Sequence, residues 1–310
     1  MSKQTSHTLM LVCGAFIWGT AFVAQSMGAG MGAYTFLACR SWLAVAVLIP
    51  TIWGFDAAAR RAGRPTGRPV TRQQKRTLWK GGFWMGTFLF AASAAQQIAI
   101  TINPSTAKAS FITAMYVVMV PLTGIFLGRR CGPQVWVSVA LAVTGLYLLC
   151  MKNGFGGVER SDWLLLLGAV LFTCQILAID HFSPLVDGVR LSALEFLFTS
   201  VWSTVFMLLF EQPSWAEVQA KLLPIVYCGV LSSGVAYTLQ ILGQEGLHPA
   251  IASIAMCLES VFGALGGWVI LHQTLSLREV VGCAVIFAAV VLAQLPLEQL
   301  RGRRARSRAS

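Results

Sequence analysis

The chain has 310 residues, of which 56% are hydrophobic and only 11% are charged, and its formal net charge is +11. Soluble domains carry about 25% charged residues, so this composition excludes an ordinary water-soluble enzyme fold. It suits a chain that lies mostly in hydrocarbon, where each crossing takes roughly 20 apolar residues. Ten such stretches with short links use up the length and leave no room for a soluble catalytic domain.

Taken in order, the chain opens on a short polar stretch, Met1 to His7, and a first apolar span from Thr8 to Ser26. Small residues follow it at Gly28-Ala29-Gly30, as after a cleaved leader. The span has a counterpart at Leu164–Ile179, deep inside the chain, so it reads as a permanent span. The second span runs from Ala33 to Trp53 and contains Arg40. A long basic loop is expected from Gly54 to Lys80, with eight Lys and Arg against the single acid Asp56. The third span ends near Ile100, and Asn103-Pro104 signals the start of the fourth, which carries Lys108, Tyr116 and Pro121. Arg129-Arg130 marks a basic turn before a fifth span that ends near Met151. Spans six to ten are expected at Asp162–Ile179, Leu191–Phe210, Leu222–Leu242, Pro249–Leu271 and Leu277–Leu295. A tail with five arginines follows.

The halves repeat one another. Adding 143 to a residue number carries Gly86 onto Gly229, Gln97 onto Gln240, Ser110 onto Ser253 and Gly124 onto Gly267, without a gap. Near the start of each half the offset is 154, which carries Gly14-Ala15 onto Gly168-Ala169 and Trp18 onto Phe172. Internal repeats of apolar spans are a common way to build secondary transporters. The predicted units are residues 1–157 and 158–298, each of five spans, with a basic tail at 299–310.

Charge gives the orientation. One set of alternate loops and ends holds 17 basic residues and the other set holds four: Lys152, Arg160, Lys221 and Arg278. The basic side is expected in the cytoplasm, with both termini. Five is an odd number, so the two units enter the membrane from opposite sides, and the predicted fold is all-α with ten transmembrane helices in an inverted five-plus-five repeat. The positive charge is thereby accounted for without a nucleic acid. The loop and tail should attract anionic lipid heads. The eight cysteines form no CxxC pair, and the four histidines have no metal-ligand spacing, so no metal or cofactor is expected.

Several runs carry a family likeness. These are Trp18-Gly19-Thr20-Ala21-Phe22, Arg40-Ser41-Trp42-Leu43-Ala44, Ala109-Ser110-Phe111-Ile112-Thr113 leading to Tyr116 and Pro121, and Leu258-Glu259-Ser260-Val261-Phe262 with Gly266-Gly267. In these the chain resembles, over both halves, the EamA-type permeases of the drug/metabolite transporter superfamily. The resemblance implies a central cavity, alternating access, and a small-molecule cargo of the kind members carry: amino acids, vitamins, nucleotide-like metabolites or amphipathic amines.

Ionisable groups inside spans cost roughly 2.5–3.5 kcal/mol each at mid-bilayer and mark function by default. Glu259, about ten residues into its span, stands as the one acid near the midplane, and its repeat partner is Tyr116. This pair is the expected heart of a solute site. Arg40 and Lys108 lie nearer the outer face. Each suits either an anion contact, helped for Lys108 by the start of its helix, or a side chain snorkelling to the headgroups. Thr113, Gln97, Gln175 and Tyr237 offer further hydrogen-bonding groups, as do Gln25, Gln96 and Gln240. Interhelical contact is the commoner use of such residues. Trp18 and Phe172 could wall the cavity.

The expected function is a secondary transporter, an exporter in direction, moving a small polar or amphipathic metabolite such as an amino acid across the inner membrane. A proton is one candidate driving ion. A membrane-embedded lipid-modifying enzyme and a non-transporting scaffold are the alternatives. The first lacks clustered acids or histidines, and the second gives no reason for Glu259 beside Tyr116. Oligomeric state is not legible. The orientation is checked by placing a cysteine at Gly67 in an otherwise cysteine-free chain. An impermeant thiol reagent added outside whole cells should leave it unlabelled, and strong labelling would reverse the assignment.

Overall fold

A computed structural model describes residues 3–28, 30–102, 106–128, 131–151, 159–271 and 274–295. Ten of its helical stretches are long and apolar enough to cross a membrane. The first three are single helices: α1 (Lys3–Met27), α2 (Ala33–Arg61) and α3 (Arg72–Ile102). The fourth is broken into α4 (Thr106–Thr113) and α5 (Tyr116–Phe126), and the fifth is α6 (Pro133–Cys150). Next come α7 (Arg160–Phe182) and α8 (Gly188–Phe210), then a short surface helix α9 (Trp215–Ala220). The eighth stretch comprises α10 (Leu222–Val226), a π-helical segment Tyr227–Ala236, and α11 (Tyr237–Gln244). The ninth is again broken, into α12 (Pro249–Met256) and α13 (Leu258–Leu271), and α14 (Leu277–Gln294) completes the set. The ten expected spans are therefore all present, in an all-α membrane fold.

The expected loop at Gly54–Lys80 is shorter than read. Helix continues to Arg61 and resumes at Arg72, leaving 62–71 as the connection. Physical reasons are visible on both sides of the gap. Arg60 and Arg61 occupy the last turn of α2, where the helix dipole favours cations. Asp56 is 3% exposed because it is held by Arg190 of α8 at 2.5 Å and by Arg68 of the loop at 2.9 Å. At its other end α2 meets α8 again. The Glu211 carboxylate, just past α8, accepts from the Tyr34 and Thr35 backbone N–H groups at 2.9 and 2.7 Å and from the Thr35 hydroxyl at 2.6 Å. These are the free donors of a helix N-terminus, where an anion is favoured. The α2–α8 pair is thus fastened at both ends.

The two broken helices are interrupted at corresponding places. Residues 114–115 separate α4 from α5, and residue 257 separates α12 from α13; an offset of 143 carries 114 onto 257. At each break the backbone tightens to three-residue hydrogen bonds, Val117 N–H to Ala114 O at 3.0 Å and Ser260 N–H to Cys257 O at 3.2 Å. Pro121 lies beyond the first break, whereas Ala264 holds the matching place in the second. Proline therefore does not dictate both interruptions. Such mid-helix tightening often marks a functional hinge. The helices touch there: the Tyr116 hydroxyl donates to Glu259 Oε1 at 3.2 Å, and the Ser110 and Ser260 hydroxyls lie 2.8 Å apart.

Small residues allow the close crossings. A Cβ on Gly82 would fall 2.5 Å from the Leu194 Cβ, and one on Gly86 would fall 2.5 Å from the Glu195 carbonyl oxygen. The Gly82/Gly86 pattern is therefore a contact between α3 and α8, as small-xxx-small spacing suggests. Gly263 likewise packs on Gly19. Gly32 leaves the space that the Glu211 carboxylate fills. Trp53, Trp79 and Trp163 are exposed near helix ends, in keeping with interfacial anchors.

Gly86→Ala should force α3 away from α8 and destabilise the fold by about 1–3 kcal/mol, the usual cost of overpacking. Thermal unfolding in detergent should show a lowered melting temperature. Gly54→Ala is the control, since nothing lies within 4 Å of its added Cβ. Equal melting temperatures for the two variants would contradict this packing.

Candidate functional site

Between the helices lies a cavity with about 550 Å³ of space not filled by atoms, open solvent included. Its wall follows from where each helix is polar inside an otherwise apolar bundle. Trp18, Phe22 and Gln25 face it from α1, Arg40 from α2, Gln96 from α3 and Thr113 from the end of α4. Tyr116 enters from the first residue of α5, and Phe172, Gln175 and Ile176 from α7. The second half adds Ser232 from the π-helical segment, Tyr237 and Gln240 from α11, Met256 from α12 and Glu259 from α13. Tyr116 and Glu259 both stand beside a helix break, so the breaks place their side chains at the cavity. The π-helical turn ends immediately before Tyr237, and such bulges frequently accompany functional sites.

The polar groups are organised into short linked sets. Tyr116 binds Glu259, as described, and the Gln96 amide donates to the Thr113 hydroxyl at 3.2 Å. Gln175 and Gln240 exchange amide hydrogen bonds at 3.5 and 3.3 Å. Trp18 packs edge-on against Tyr237, ring centroids 4.8 Å apart, and Phe196 packs against the same tyrosine at 5.4 Å. Tyr237 lies within electrostatic reach of Arg40, Glu195 and Glu259, and Ser93 is in hydrogen-bond contact with it. It is the group that the charged residues share.

Seven of the nine residues singled out from the sequence line this one cavity: Trp18, Arg40, Thr113, Tyr116, Gln175, Tyr237 and Glu259. Gln97 does not. It is 3% exposed and its side-chain oxygen is buried without a partner, away from the cavity wall. One residue along a helix turns the side chain by about 100°, which is why Gln96 reaches the cavity and Gln97 does not. The Lys108 side chain lies outside the described part of the structure. Arg40 departs from one of its two sequence readings. It does not snorkel to a headgroup layer. It is 6% exposed, on the cavity wall, its guanidinium carbon 5.9 Å from the centre of the Phe36 ring. Cys228 is in hydrogen-bond contact with it, and its Nε is buried with no partner.

The expectation that Glu259 is the one deep acid is also overturned. Glu195 of α8 is fully buried, and its Oε1 accepts from the Gln175 amide at 2.9 Å. Apolar positions surround it in sequence, so hydropathy alone hides it. Its signal was the acid itself, five residues inside a stretch read as a span. Gln25, Gln96, Gln240 and Phe172, the softer candidates, do line the cavity. Ser232 and Met256 had no signal beyond their place in a span.

Residues 160–295 match the model of the EamA-like transporter family. The match covers most of the second half of the chain. An uncharacterized transporter from Archaeoglobus fulgidus is 25% identical over 295 residues, covering 94% of this chain and 87% of that protein. A crystal structure of a protein 21% identical to this chain superposes with a TM-score of 0.76, covering 94% of this chain and 98% of its own. That likeness concerns the fold, and it extends across both halves. The recognition made from the sequence, an EamA-type permease, is borne out. The chain is a multi-pass membrane transporter, and the cavity above is the candidate place for its cargo.

Proposed function

We propose that this EamA-type chain is a secondary transporter that binds a small zwitterionic metabolite, such as an amino acid, in the central cavity. It carries the metabolite out across the inner membrane by alternating access. In this reading residues 1–157 and 158–298 are two halves of inverted orientation that rock about the cavity, and both termini and the tail 299–310 lie in the cytoplasm. No catalytic step is assigned to it.

One observation carries the reading: a cation and an acid share the cavity without neutralising each other. Among the described residues, Arg40 and Glu259 have no ion pair, and each is at least nine-tenths buried. Charges removed from water are costly unless they are paired. A solute carrying both signs would pair both at once. Its carboxylate would meet the Arg40 guanidinium, whose planar fork suits that geometry. Its ammonium would meet Glu259, already oriented by Tyr116. Charge-assisted bonds of this kind are about twice as strong as neutral ones. Arg40 thereby takes the role that the sequence reading offered to Lys108. Trp18, Phe22 and Phe172 supply apolar walls for the solute's side chain, while Thr113, Gln175 and Tyr237 offer polar contacts.

Thermal unfolding of purified protein with a panel of amino acids, simple amines and simple carboxylates tests this. A zwitterion should raise the melting temperature, with stabilisation of about 2.7 kcal/mol when its concentration is a hundred times the dissociation constant. Amines and carboxylates of equal size should do less. Arg40→Gln and Glu259→Gln should each remove the shift while leaving the unliganded protein folded. A shift produced equally by an amine alone and kept in Arg40→Gln would overturn the zwitterion reading.

A further inference from the structure

We propose that Glu195 is a second ion site, a buried carboxyl that carries the coupling proton, separate from the solute contact at Glu259. The inference rests on the transporter reading above and adds the driving ion and its residue.

The geometry is that of an acid with one partner and one access route. Glu195 has no exposed surface, and among the described residues its only hydrogen-bonded side-chain partner is Gln175. Its second oxygen, Oε2, is buried with no partner among the described residues. A carboxyl used only to tie helices together would place both oxygens on donors. An ionised carboxylate with one neutral donor in a dry interior would be far costlier than the neutral acid, which carries its own proton on the unpartnered oxygen. The route outward is short. Gln175 is hydrogen-bonded to Gln240, and both amides form part of the cavity wall. Separation of that pair would open Glu195 to cavity water.

The helices packed on α8 bring few charges near it. From α2, Arg40 lies on the cavity wall and is not paired with Glu195; Asp56, Arg60 and Arg61 lie toward the far end of α2, where Asp56 holds Arg190 of α8. From α3, Arg72, Lys75, Arg76 and Lys80 all precede Gly86, the point of contact with Glu195. From α11 comes Tyr237, which senses Arg40, Glu195 and Glu259 together. From α7 come Cys174 and, toward its end, Asp180 and His181.

The repeat adds an independent observation. The offset of 154 places Ser41 opposite Glu195, and the Ser41 hydroxyl is also fully buried without a partner. The offset of 143 places Tyr116 opposite Glu259. Each deep acid is thus in the second half, and a hydroxyl residue holds the matching sequence position in the first. Two such acids allow a division of labour: one for the solute's amine, one for a proton taken from water on one side and returned to water on the other.

The first test needs no solute. Infrared difference spectra of purified protein at neutral pH should show a protonated-carboxyl carbonyl band that disappears in Glu195→Gln and persists in Glu259→Gln. Should Glu195→Gln fail to fold, Gln175→Leu should shift the same band by removing its donor. Loss of ionised-carboxylate bands in Glu195→Gln, or no change on Gln175→Leu, would overturn the proposal. The second test uses proteoliposomes and whichever amino acid most stabilises the wild type. Glu195→Gln should keep solute exchange and affinity within about twofold, yet lose accumulation driven by a pH gradient at least tenfold. Unchanged accumulation, or loss of affinity and exchange as well, would contradict a separate proton site. If no amino acid stabilises the wild type, the zwitterion reading fails while the infrared test still decides the role of Glu195.

Discussion

The contact between Tyr116 and Glu259 joins the two halves of this chain beside the central cavity. A bilayer offers no water to a buried carboxyl, so the protein must supply every partner that such a group has. Here the partner is a phenol from the corresponding place in the other half, 3.2 Å away. The contact exists because both broken helices are interrupted at the same repeat position and cross there. The interruptions in turn bring Thr113, Met256 and the pair itself to the cavity wall. Around this crossing the bundle is otherwise conventional: apolar helices, glycines where backbones approach closely, and hydroxyls bonded back to their own helix.

A second constraint acts on α2 and α8. Their ends are fastened by charge, Glu211 capping α2 at one face and Asp56 holding Arg190 and Arg68 at the other. Between those fastenings lie the two residues with the largest electrostatic demands, Arg40 and Glu195, each with a buried polar atom left unpartnered. Incomplete satisfaction of this kind is costly for a fold. On the cavity wall the atoms left so are the Trp18 Nε1 and the Arg40 Nε.

Much of this could be read from the chain alone. Hydropathy marked all ten spans because each crossing needs a long apolar run, and the offset of 143 paired Tyr116 with Glu259 before any coordinates. Trp18 and Phe172, matched by the offset of 154, do face the same cavity. What was hidden depends on rotation and packing. Gln96 and Gln97 are indistinguishable in composition and differ only in the direction each points. Arg40 reads from the sequence as either an anion contact or a snorkelling side chain, and the packing of α2 against α8 and the π-helical segment is what puts it on the cavity wall. Glu195 was overlooked because its neighbours are so apolar. The loop at 62–71 was overestimated because Asp56 and the arginines, which suggest a polar linker, are the groups that hold helical ends together.

The most direct measurement of the central claim is an experimental structure of the protein with a bound amino acid. The account predicts density for the solute in the central cavity, its carboxylate against the Arg40 guanidinium and its ammonium against Glu259. Solute density elsewhere in the bundle, or in the cavity with the carboxylate turned away from Arg40 and the ammonium away from Glu259, would contradict it.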